Sequence, residues 1–105
     1  GLSVGENSNI EVNTSNITNN NYGIVSKDNS IAILKDSKII DNKIQLAVYK
    51  KNWRYGKSGN IELHNNILNK DNNIFQSDKN GSIKFKFMKN NYNIKYEKLK
   101  KFSIN

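Results

Sequence analysis

The chain has 105 residues, about a fifth of them asparagine, with 17 Lys and Arg against 9 Asp and Glu, a formal net charge of +8, and neither proline nor cysteine. The missing cysteine excludes disulfides, zinc–thiolate centres and thiol nucleophiles, and no apolar run approaches the ~18 residues of a membrane-spanning helix. An apolar fraction of 35% and a mean hydropathy of −0.78 exclude a thick globular core. A single domain with a thin core repeated along an axis is expected instead. Polar composition of this kind also suits disorder, but the regular spacing of Ile, Val, Leu, Phe and Tyr argues for strands.

The first segment, 1–21, carries three short alternating runs. Leu2 and Val4 flank Ser3, Ile10 and Val12 flank Glu11, and a third run surrounds Ile17; Gly5-Glu6-Asn7-Ser8, Asn13-Thr14-Ser15 and Asn19-Asn20-Asn21 separate them. Segment 22–42 repeats the first with a shift of 22: Gly23 falls on Gly1, Ile24 on Leu2, Asn29 on Asn7, Ser30 on Ser8, Leu34 on Val12, Ser37 on Ser15 and Ile39 on Ile17. A fixed period in the low twenties is the signature of stacked repeats, and three period-two strands per repeat give one coil of a β-helix. Ile24, Ala32, Leu34 and Ile39 are expected inside, and Ile31, Ile33 and Ile40 outside.

Segment 43–71 starts on schedule, with Leu46 lying 22 beyond Ile24, but Ile61 and Leu63 lie 29 beyond Ala32 and Leu34. Seven residues have entered the first turn. The inserted stretch holds the only Trp and the only Arg, Trp53 and Arg54, with Tyr49, Tyr55, Lys50, Lys51 and Lys57 around them. Segment 72–91 resumes the shift of 22 with Ile83 and Phe85, and Phe75, Phe85, Phe87 and Met88 are expected to point inward. Tyr92, Ile94 and Tyr96 alternate as a last strand. Residues 92–105 read as a C-terminal cap, with Leu99 and Phe102 plugging the open end. No comparable cap precedes Gly1, so that end is expected to stack on upstream coils of a longer parent protein or on a second copy.

Phrases such as Gly23-Ile24-Val25-Ser26-Lys27-Asp28-Asn29-Ser30, and Leu46-Ala47-Val48-Tyr49-Lys50-Lys51 with Tyr55-Gly56 after it, resemble the coils of the pectate-lyase-like superfamily in bacterial surface and secreted proteins. The resemblance extends to about Tyr96. It implies an all-β, right-handed parallel β-helix (a single-stranded β-solenoid) of about four coils, in a superfamily that includes polysaccharide lyases and hydrolases, epimerases, phage tailspikes, adhesins and coils with no known activity. In the lyases, carboxylates beside the first strand hold Ca²⁺ on an acidic sugar and an Arg or Lys abstracts a proton. Here the matching column is Glu6, Asp28, Lys50 and Asp78, with Arg54 nearby. Fold alone does not choose among these activities.

Read from the residues themselves, the alternating column relieves charge repulsion between coils, and Lys50 interrupts any calcium cage. The stacked pairs Asn7 and Asn29, Ser8 and Ser30, and Ser15 and Ser37 are structural ladders. His64, the only histidine, has no second ligand for a metal and reads as a turn residue. The binding candidates are Tyr49, Lys50, Lys51, Trp53, Arg54, Tyr55 and Lys57, aromatic rings beside cations that suit sugar faces and anionic chains; the alternative is that Trp53 and Tyr55 fold back and shield the coil. The expectation is a non-enzymatic extracellular or cell-surface module, structural or binding an anionic polysaccharide or another protein. It uses no cofactor and no metal, and nucleic acid is disfavoured. The competing expectation is the C-terminal part of a polysaccharide lyase or epimerase.

Overall fold

The computed structural model describes residues 1–51, 56–88 and 91–98. Among them are twelve strands and no helix: β1 (Leu2–Val4), β2 (Asn9–Asn13), β3 (Asn16–Thr18), β4 (Tyr22–Lys27), β5 (Ile31–Lys35), β6 (Lys38–Ile40), β7 (Ile44–Tyr49), β8 (Asn60–His64), β9 (Ile67–Leu68), β10 (Asn73–Ser77), β11 (Ser82–Lys86) and β12 (Ile94–Lys98). The strands are short because the chain turns sharply after each. Glu6, Asn7, Thr14 and Asn19 take positive φ angles, and so do Asp28, Asn29, Asp36 and Asp41, each 22 residues further on. Asn and Asp dominate these corners because their short polar side chains tolerate the left-handed region.

Identical corners lay each coil over the previous one. Three parallel sheets result, in the orders β1-β4-β7-β10-β12, β2-β5-β8-β11 and β3-β6-β9. The molecule is a β-solenoid of about four coils. One column along the first sheet runs Leu2, Ile24, Leu46, Phe75 and Tyr96, so the register steps over the inserted residues without slipping. In the second sheet Ala32 pairs with Ile61, and Ile61 with Ile83.

The core is the stack of inward columns. Ile24, Ala32, Leu34, Ile39, Leu46, Ile61, Leu63 and Phe75 are fully buried, each larger side chain contributing about 1.5–3 kcal/mol. Ile31, Ile33 and Ile40 are half-buried on the outside. Towards the C-terminal end aromatic rings take over: Phe75 stacks on Phe85 with centroids 5.7 Å apart and meets Tyr96 edge-on at 5.7 Å.

Phe87 departs from expectation. It is 80% exposed rather than inward, because it occupies the corner column of Thr14, Asp36 and Asn65 and shares their positive φ. The period, which places it 22 beyond Asn65, outweighs its hydrophobicity. Asp78 also shifts by one place. Ser77 pairs with Val48, which aligns Asp78 with Tyr49 instead of Lys50. The strand expected around Tyr92–Tyr96 is β12, which pairs in parallel with β10; the plug by Leu99 and Phe102 lies outside the described residues.

The corners are tied together by side chains. The Ser8 N–H donates to Ser30 Oγ at 3.1 Å, the Ser15 N–H to Ser37 Oγ at 3.1 Å, and the Asn20 N–H to Asn42 Oδ1 at 3.0 Å. The Ser37 N–H continues to Asn66 Oδ1 at 2.9 Å, and Asn29 Nδ2 donates to Asn7 Oδ1 at 2.7 Å. The serine and asparagine columns are therefore structural ladders, as the spacing predicts.

One interior polar group was not foreseen. Gln45 is fully buried. Its Nε2 donates to the Ile39 carbonyl at 2.7 Å and to Asn73 Oδ1 at 2.8 Å, while its Oε1 accepts from Asn42 Nδ2 at 2.8 Å. A buried amide of this kind is stable only when its donors and acceptors are matched.

Candidate functional site

The seven extra residues fall between β7 and β8. Two carboxylates hold the base of this loop. Asp28, almost fully buried, accepts the Lys51 N–H through Oδ1 at 2.8 Å. Asp78 accepts the Lys50 N–H through Oδ2 at 2.7 Å, and its Oδ1 takes the Ser58 hydroxyl at 2.6 Å and the Asn80 N–H at 3.2 Å. On the return side the Asn29 N–H bonds the carbonyls of Lys57 and Ser58, both at 3.1 Å. Gly59 closes the loop against β4: a Cβ there would lie 1.7 Å from the Ser26 carbonyl oxygen, so no other residue fits.

Asp28 and Asp78 thus have a definite task. Their carboxylates receive backbone N–H groups at the base of the loop, as carboxylates do at helix N-termini. Among the described residues no group of three or more His, Cys, Asp or Glu side chains could hold a metal ion.

The candidate binding residues separate into three groups. Lys50, Lys51 and Lys57 are exposed. Tyr49 is only 8% exposed and packs with Val25, Ile44 and Ala47, against which Ile74 also rests, as a second apolar cluster on the outer side of the first sheet. Burial pushes the Tyr49 hydroxyl above the usual phenol range, and neighbouring Tyr22 and Asp28 push it the same way. Trp53, Arg54 and Tyr55 lie outside the described residues.

The outer face of the second sheet is a lattice of opposite charges. Lys35 Nζ lies 3.2 Å from Glu11, and Lys86 Nζ lies 2.9 Å from Glu62. The hydrogen bond from Lys86 holds the Glu62 carboxyl below its ordinary range, and Lys35 does the same for Glu11. His64, at the end of β8, sits 3.7 Å from Glu62 and edge-on to Phe87 at 6.3 Å.

A groove of about 800 Å³ follows the corner between the third and first sheets, lined among others by Asn19, Asn21, Asp41, Lys43, Asn72 and Ile74. Sequence reasoning missed it. The signal was present in the triplets Asn19-Asn20-Asn21, Asp41-Asn42-Lys43 and Asp71-Asn72-Asn73. In each triplet one asparagine turns in to the ladder (Asn20, Asn42, Asn73), and its neighbours remain exposed along the groove. Comparison of the chain with protein-family models, curated proteins and solved structures finds no match.

Proposed function

We propose that the chain is a non-catalytic β-solenoid module, part of an extracellular or cell-surface protein, whose cationic loop over residues 50–57 engages an anionic polysaccharide. The observation that carries this reading is the construction of the loop base. Asp28 and Asp78 direct their carboxylates at backbone N–H groups, while Lys50, Lys51 and Lys57 stay exposed. Three exposed lysines beside an anchored loop base support a local concentration of positive charge there. Lysines held this way attract a polyanion by charge, and Trp53 and Tyr55 supply faces on which sugar rings stack. Engagement of both carboxylates by the backbone favours binding over the lyase or epimerase chemistry that the superfamily resemblance also implies.

The test is retention on immobilised acidic polysaccharide with salt elution, together with a glycan array. Binding is expected to weaken at least tenfold in Lys50→Gln/Lys51→Gln and in Trp53→Ala, and to fall with added salt. Binding indifferent to these substitutions, or no binding to any acidic glycan, overturns the proposal.

A further inference from the structure

The two ends of the solenoid differ in charge, and each carries a hollow lined by apolar side chains. Glu6 and Glu11 are the only charged side chains among residues 1–21. The described residues of the last coil and of β12 carry Lys79, Lys84, Lys86, Lys95 and Lys98 against Asp78 and Glu97. At the first end, Leu2, Ile10, Val12 and Ile17 are half-buried, although the residues one coil on, Ile24, Ala32, Leu34 and Ile39, are fully buried. A hollow of about 420 Å³ opens there beside Leu2, Val12 and Ile17. At the other end a hollow of about 390 Å³ opens beside Phe85, Met88, Tyr92 and Ile94.

The first end also has the polar fittings of an interior coil. Ser30, Ser37 and Asn42 each accept an N–H from the coil before them. Ser8, Ser15 and Asn20 stand in the same three columns one coil earlier. Ser15 Oγ donates to the Asn13 carbonyl as Ser37 Oγ does to that of Lys35, and Asn20 Oδ1 accepts the ammonium of Gly1 at 2.6 Å. Side chains at two of the three corners thus already hold the orientation that receives a coil's N–H groups.

From these features we infer that the acidic first coil of one molecule receives the basic end of a second copy, with β12 of one copy against β1 of the next. The contact is heterologous and does not close, so it propagates. Charge selects this arrangement: two first ends would oppose glutamates, and two last ends would oppose lysines. The inference is independent of the cationic loop and of any glycan.

Sedimentation of the full chain over a wide concentration range tests it. At low salt the weight-average mass is expected to keep rising with concentration, and to fall towards the monomer when salt is raised about tenfold. Ile17→Lys blocks the first end and Ile94→Lys the other. Each variant alone is expected to be monomeric, and a mixture of the two to form a 1:1 pair through the faces left intact. A monomer at every concentration, a plateau at the dimer, association by either variant alone, or association that strengthens with salt overturns the inference. The salt response of the unaltered chain keeps the test decisive if a variant loses its far-UV circular dichroism.

Discussion

Gln45 joins two coils through a single side chain, since its amide serves Asn42 on one side and Asn73 on the other. Gln45→Met keeps the volume but leaves the Asn73 Oδ1, the Ile39 carbonyl and the Asn42 amide each short of a partner. A loss of about 3 kcal/mol is expected, seen as a Tm decrease of more than ~10 °C in a chain of this size. Tyr49 gives a prediction in pH. Its folded-state pKa is raised by burial, so its contribution is fully present below the unfolded phenol value of ~10 and is lost as pH rises through the folded value. Tm measured from pH 9 to 12 is expected to fall steeply in the unaltered chain and less steeply in Tyr49→Phe. At this scale the sequence is readable where a residue type has one use, as with Ser30 or Ile39. It is silent at Gln45, whose matched partners lie on other coils, and it misleads at Phe87, whose ring reads as inward while its position in the period assigns it to a corner.

The loop between β7 and β8 breaks the repeat, and its location was legible because the offset jumps from 22 to 29 between Leu46 and Ile61. How it is held was not legible. A carboxylate that bonds a neighbouring backbone N–H looks, in one dimension, like a carboxylate that offsets a charge, and Asp78 differs from its expected column by a single position. Asp78→Ala removes the acceptor for the Lys50 N–H, the Ser58 hydroxyl and the Asn80 N–H. Local opening at the loop base is expected to become easier by at least ~1.4 kcal/mol, a factor of ten. Trypsin cleavage within residues 50–57, followed by mass spectrometry under native conditions, should quicken by that factor while the rest of the chain stays protected. Equal cleavage in both proteins would show that Asp28 and the Asn29 contacts hold the loop without Asp78.

Over the whole molecule, every strand pairing among the described residues joins one coil to the next, so cohesion is largely a sum of coil-to-coil terms. The fold was legible for that reason: one coil path, written once in residues 1–21 and again in 22–42, determines the sheets, the register and the inward columns together. The groove along the asparagine corner was not, because the same residue type both builds the ladder and faces outward from it, and only the coil geometry separates the two.

The backbone-to-side-chain bonds in the ladders of Ser8, Ser15 and Asn20 run one way, each of these N–H groups ending on a side chain of the coil that follows. On the ribosome, where residues emerge in order from the N-terminus, no coil can finish itself. The amides of Ser8, Ser15 and Asn20 gain their partners only when Ser30, Ser37 and Asn42 have been synthesised. Amide hydrogen exchange on fragments of increasing length checks this consequence. Protection at those three amides is expected to be absent in a fragment ending before residue 30 and to appear in one that includes the second and third coils; equal protection in both would mean that the first coil closes without its successor.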